Sequence, residues 1–330
     1  MSYIASVWNH LRLVQAWATA QNAQLAIDGR SFELEVKGRH RYFNLAPRFF
    51  ARRDGRTSYV VEPWAEGIVG FAGWLPYRLV SWQLSTDKLA FDAHMRSLGL
   101  RVPRLFKADQ KPDVAYIVKR AQGSFGERIT GPCLPGSAAP LEEGEFRQAF
   151  VPGRNLKVWF WGRQPIYAHL TDYPEVVGDG ASDLQTLCAR QQPALGTTDD
   201  DADAADIFAA ALAFQGLTIG SVLAEGRRAW VDFRYGRAYG PPRRGATPYD
   251  NALSTLHEPV AQQISEMGRV IGDHLEPQFR VPVLYSVDAV VDRDHQVWWL
   301  EANANPALPP DGYFPILDTL FEVTTPWPAS

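Results

Sequence analysis

The sequence predicts an α+β protein built from more than one packed unit. Three observations point there. The 330 residues suffice for two or three domains of roughly 100–200 residues. An apolar fraction of 46% and a charged fraction of 21% are globular values, and no window is both weakly hydrophobic and highly charged. Strand-like runs bounded by glycine are interspersed with runs whose apolar residues recur every three or four positions.

A formal charge of −4 provides no long-range field for nucleic acid or an anionic membrane, so neither is expected as a partner. Cys133 and Cys188 share no C-x-x-C spacing and are too few for a disulfide framework. The start MSYIASVWNHLRLV has no basic segment before an unbroken apolar core, and no stretch of about 18 apolar residues occurs. The expectation is a cytoplasmic protein.

A helix is expected around His10 to Gln21, then strands at 24–27, 32–36 and 40–45, punctuated by Gly29 and Gly38. Residues 63–82, rich in Trp, Gly and Pro, read as an irregular connection, with a boundary near Leu84. STDKLAFDAHMRSLGLRVPR reads as one helix. Ser85, Thr86 or Asp87 would cap it, Leu89, Met95 and Leu98 would make its apolar contacts, and Gly99 and Pro103 would stop it. Val114 to Val118 is a short buried strand ending at Lys119 and a glycine turn. Strands follow around 149–152 and 156–162, with a partner at 164–169, then a helix from Ala204 to Gln215. Leu256, Val260, Ile264, Met267, Ile271 and Leu275 mark an amphipathic helix over 254–275.

The segment LYSVDAVVDRDHQVWWLEANANP reads as a β-hairpin, two apolar runs around DRDHQ. Symmetry about Asp294 and His295 places Asp288 opposite Glu301, with Cβ atoms roughly 5 Å apart. Asn303, two residues on, shares the face of Glu301. Two carboxylates and an amide oxygen so gathered suit magnesium, which takes a few carboxylates together with substrate phosphates. On spacing alone, a solvated hairpin face fits the same residues.

D-x12-E-x-N with LEANANP resembles the metal-binding hairpin of the ATP-grasp superfamily. VAYIVKRAQGSFGERI resembles that family's lysine and K-x-x-x-G-S-x-G phosphate loop. RQAFVPGRNLKVWFWG is similar to its adenine hinge, although Gln148 stands where an acid is common and Asn155 where some members have Asp. PEVVGDGASDLQTL looks like a segment of peptide-forming ligases such as glutathione-synthesising and cyanophycin synthetase-like enzymes. A Gly-Asp-Gly turn before a helix capped by Ser182 explains those residues equally well.

The resemblance covers residues 85–310 or so. It implies an ATP-grasp fold: an N-terminal α/β domain (1–84), a lobe with the phosphate loop (85–150) and a lobe with the metal hairpin (151–330). It implies that ATP binds through Lys88, Lys119, Gly123, Ser124, Phe125, Gly126, Gln148, Ala149, Phe150 and Lys157, and that two magnesium ions, with manganese as substitute, sit on Asp288, Glu301 and Asn303. Six arginines lie between 227 and 244; Arg234 and Arg237, nearest the strand WVDFRY, are the candidates to clamp a phosphoryl group or a carboxylate.

The activity implied is ligation of a small carboxylate to an amine through an acyl phosphate. Two other readings stay open: a ligase acting on a ribosomal peptide or protein partner, and a non-catalytic nucleotide-binding protein, which would lack intact metal ligands. A homodimer is also left open.

Overall fold

The computed structural model describes residues 2–53, 56–123, 129–193, 204–235, 251–279 and 281–323. The fold is α+β, with antiparallel pairing in every strand ladder among the described residues.

Helix α1 (Ser2–Ala20) precedes strands β1 (Gln24–Ile27), β2 (Leu34–Lys37), β3 (Tyr42–Arg53), β4 (Arg56–Val60) and β5 (Ile68–Leu75). They form one sheet in the order β1-β2-β3-β4, with β5 also on β3. Two expectations fail here. Strand β3 does not stop at Leu45: it leaves β2 there and pairs with β5 from Ala46 onward, through Pro47. The supposed irregular stretch 63–82 contains β5. Its alternation is hidden because Phe71, Ala72, Trp74 and Leu75 are all buried, and because Gly73, at φ +110°, fits where a Cβ would press on Leu308 and the Tyr313 hydroxyl.

The predicted helix over 85–98 divides into a single turn, α2 (Gln83–Thr86), and α3 (Lys88–Ser97). Asp87 caps α3, its carboxylate accepting from the Leu89 and Ala90 N–H groups at 2.9 and 3.0 Å. Phe91 and Met95 face the core, whereas Leu89 and Leu98 are exposed.

Strands β6 (Leu105–Phe106), β7 (Tyr116–Arg120), β8 (Thr130–Cys133) and β9 (Glu145–Ala149) make a second sheet, ordered β6-β9-β7-β8. The strand expected at 114–118 therefore begins later and carries Lys119 inside it. The one expected at 149–152 lies earlier.

The third sheet, β11-β10-β14-β15, comprises β10 (Arg154–Trp161), β11 (Gln164–Thr171), β14 (Leu284–Val291) and β15 (Val297–Ala304). Between β11 and β14 come β12 (Glu175–Val177), α4 (Leu184–Gln191), α5 (Ala204–Phe214), β13 (Arg228–Trp230) and α6 (Glu258–Leu275), and α7 (Tyr313–Phe321) closes the order. Asp183, not Ser182, caps α4. Helix α6 starts at Glu258, after a 3-10 turn at Ala252–Ser254.

The third sheet is covered on both faces, and strand alternation sorts its residues. Leu156, Val158 and Phe160 join Tyr285, Val287 and Ala289 in a core with α3 and α6. Trp159, Trp161 and Leu284 point the other way, into a core shared with α1, α7 and the N-terminal sheet. Trp17 ties α1 to α7 by donating to the Asp318 carboxylate at 2.8 Å.

Helix α6 lies so close to the β10–β11 turn that a Cβ on Gly268 would stand 2.3 Å from the Arg163 carbonyl oxygen. Gly268→Ala gains about 1 kcal/mol of helix propensity, but overpacking against backbone costs about 1–3 kcal/mol. The variant is expected to unfold at lower urea than wild type; a higher midpoint would contradict this packing.

Candidate functional site

The hairpin places Asp288 across from Glu301, as symmetry about Asp294 and His295 predicts, but by another route. The turn is tighter than assumed, since Val291 pairs with Val297, and Leu300 is then an extra residue, a β-bulge between the Trp299 and Glu301 pairs. The bulge decides which side chains face the site. Val297 and Trp299 lie in the core, and without the insertion Glu301 and Asn303 would follow them. With it, Ala302 takes the core position, and Glu301 and Asn303 join Asp288 on the opposite face.

On the other side of β14, Lys157 is the direct partner of Asp288. Lysine 157, Asp288 and Glu301 thus form one row across three strands. The Lys157 ammonium sits 2.7 Å from Asp288 Oδ1, and Asn303 donates its amide to Asp288 Oδ2 at 2.7 Å. Lys88, the first residue of α3, reaches Glu301 at 3.1 Å and donates to the Gly123 carbonyl at 2.8 Å. A cation at a helix N-terminus opposes the dipole, and Glu301 supplies the compensating charge. Lys119, 5% exposed, is close enough to feel Glu301, Lys88 and Asp288.

Burial raises the Asp288 carboxyl above its usual range, Glu301 adds to this, and the Lys157 charge opposes it. Burial lowers the Lys119 ammonium, and the attraction of Glu301 limits the drop. Three ammonium groups face two carboxylates, an excess of positive charge suited to a polyanion.

The donor set of two carboxylates and one carboxamide suits a hard divalent cation. Among the described residues no group of three or more His, Cys, Asp or Glu could hold a metal. Further oxygens would have to come from a bound molecule, which is how magnesium commonly binds beside phosphates.

These residues line a cavity of about 900 Å³. Gln148, Ala149 and Phe150 lie along it, with Val151. The Ala149 and Phe150 N–H groups are already bonded, to the Arg104 and Ala115 carbonyls, both at 2.8 Å. The Gln148 side-chain oxygen is buried without a partner among the described residues. Gly123 lines the cavity, while Ser124, Phe125 and Gly126 lie outside the described residues.

Arg234 also lines it, at 7% exposure, paired with Asp232 at 2.8 Å. Arg237, Arg243 and Arg244 lie outside the described residues. The Gly-Asp-Gly turn is explained by its own bonds: Asp179 accepts from Ala181, Ser182 and Arg190, and it is absent from the cavity wall.

Sequence reading missed the part of the cavity wall formed by His10, Phe50, Tyr59, Phe71, Trp159 and Tyr167, which adjoins the charge row, the Lys157 ammonium standing 5.6 Å from the Trp159 ring centroid. Arg48, fully buried behind it, left the one legible signal, a charge inside the apolar run FNLAPRFFA.

No family model and no curated protein matches the sequence. Among solved structures, the chain is similar to the bifunctional glutathione synthetase from Pasteurella multocida, with 15% identity, a TM-score of 0.44, and coverage of 95% of this chain and 43% of that one. It is similar to a D-alanine–D-alanine ligase from Bacillus anthracis, with 12% identity, a TM-score of 0.36, and coverage of 72% and 67%. It is also similar to the ATP-grasp ligase PsnB complexed with minimal precursor, with 14% identity, a TM-score of 0.33, and coverage of 72% and 60%. The chain spans less than half the length of the glutathione synthetase. No helix among the described residues is long and apolar enough to cross a membrane.

Burial, helped by the Arg48 charge, lowers His10 from 6.5 to about 4. Between those values the unfolded chain binds the proton that the folded one refuses. The resulting stability is complete above pH 6.5 and is lost as pH falls toward 4, by roughly 3 kcal/mol in all. Unfolding in urea from pH 7 to 4 is expected to lose this increment in wild type and not in His10→Gln; equal pH dependence would contradict the assignment.

Proposed function

We propose that the chain is an ATP- and magnesium-dependent ligase that joins a carboxylate to an amine. The observation that carries this reading is the row Lys157–Asp288–Glu301 with Asn303, Lys88 and Lys119, gathered on one cavity wall. Intact D-x12-E-x-N and lysine motifs resembling those of the ATP-grasp superfamily agree with it.

In this reading the base of ATP lies toward Gln148, Ala149 and Phe150, and its phosphates lie toward the lysines. Magnesium held by Asp288, Glu301 and Asn303 would neutralise phosphate charge. Lys88 and Lys119 stabilise charge on the transferring phosphoryl group, and Lys157, released from Asp288, is free to turn toward an anion. Arg234 and Arg237 are candidates to hold that group or a substrate carboxylate.

Transfer of the γ-phosphoryl group to a carboxylate oxygen makes a mixed anhydride. The amine attacks its carbonyl carbon and phosphate leaves, so the products are an amide, ADP and phosphate. Positioning and charge compensation account for the protein's part. Residues 1–84 would form the N-terminal domain, with 85–150 and 151–330 as the two lobes around ATP.

Purified protein given ATP, magnesium and pools of amino acids is expected to release phosphate only when both co-substrates are present. Asp288→Asn and Glu301→Gln should each lower that rate about a hundredfold or more while the circular dichroism spectrum is unchanged. Full turnover in either variant would remove the metal assignment.

A further inference from the structure

The end of the cavity beneath α1 has no part in holding a nucleotide in the reading above, yet its polar groups are arranged with care. His10 is 6% exposed, and its Nδ1 lies 3.0 Å from the Tyr313 hydroxyl. That hydroxyl already accepts the Trp74 N–H at 2.9 Å. With that hydroxyl donating its one proton to Nδ1, the tautomer that leaves no buried hydroxyl proton unpaired, the neutral ring carries its own proton on Nε2. Nε2 has no partner among the described residues and is not among the buried unpartnered atoms, while His10 lines the cavity. The ring therefore presents a fixed N–H donor to the cavity.

Behind this wall stands Arg48, fully buried. Its Nη2 donates to the Pro306 carbonyl at 3.1 Å and, at 3.5 Å, to that of Ala72. Among the described residues its Nε and Nη1 have no partner and Arg48 has no ion pair. A buried cation without a counter-ion is costly, and it makes the adjoining wall attractive to an anion. Ser6 and Asn9 of α1 also line the cavity here, beside the aromatic rings of Phe50, Tyr59, Phe71, Trp159 and Tyr167.

Resting on the ligase reading, we infer that this end is the subsite for the non-nucleotide substrate, a carboxylate with an aromatic or large apolar body whose anionic group accepts from His10 Nε2–H within the field of Arg48. Burying the apolar body against these rings supplies affinity, and the donor and the buried charge supply selectivity for the acid.

The test is calorimetric titration with N-acetylphenylalanine and, separately, its uncharged amide, alongside titration with a non-hydrolysable ATP analogue and magnesium. The acid is expected to bind at least tenfold more tightly than the amide. His10→Phe should remove that preference, His10→Gln, which keeps an N–H donor, should restore part of it, and neither should change the nucleotide affinity. Equal affinity for acid and amide, or binding of neither, would overturn the subsite. Loss of acid preference in Arg48→Met with the nucleotide affinity intact would support it. Absence of nucleotide binding in wild type, with the acid preference present, would instead remove the ligase reading and leave the carboxylate site standing.

Discussion

Asp288 and Glu301 sit side by side with side chains only 16% and 20% exposed, and the arrangement of the site answers their burial and their mutual repulsion. Like charges about 5 Å apart repel by about 3 kcal/mol at an effective dielectric of 20, and burial adds to this. The fold answers with cations from three separate elements: Lys157 on β10, Lys88 at the start of α3 and Lys119 on β7. Each comes from a different part of the chain, so the charge row fixes how the second and third sheets and α3 meet. It also leaves one positive charge in excess, which makes the cavity receptive to a polyanion.

The bulge at Leu300 is the local device behind this. Strand period two would otherwise send Glu301 and Asn303 into the core with Trp299. One inserted residue exchanges the faces, giving Ala302 to the core and the two polar side chains to the cavity.

Much of this was legible in the sequence, for reasons that differ by element. Asp288 opposite Glu301 was readable because a turn one residue tighter and a bulge one residue long cancel, so a symmetric count reached the right pair without either feature. Lys88 came through the resemblance, and its pairing with Glu301 joins the start of a helix to a distant strand, which no local pattern shows. Strand β5 was not legible, because it is buried on both faces and crossed by Gly73, which erases the alternation that reveals half-exposed strands. The helix over 85–98 misled through Leu89 and Leu98, apolar residues on its exposed side, while Asp87 alone of three capping candidates took the role. The aromatic part of the cavity wall was invisible because it assembles His10, Tyr59 and Trp159 from three distant stretches that no local pattern connects.

In the proposed function, Asp288, Glu301 and Asn303 would exchange their lysine and amide contacts for a divalent cation when a nucleotide enters. A crystal grown with manganese and a non-hydrolysable ATP analogue measures this directly through its anomalous signal. The account predicts a manganese peak between the Asp288 and Glu301 carboxylates, touching phosphate oxygens, with Lys157 withdrawn from Asp288. A bound nucleotide with no peak there, and the Lys157–Asp288 pair intact, would contradict it.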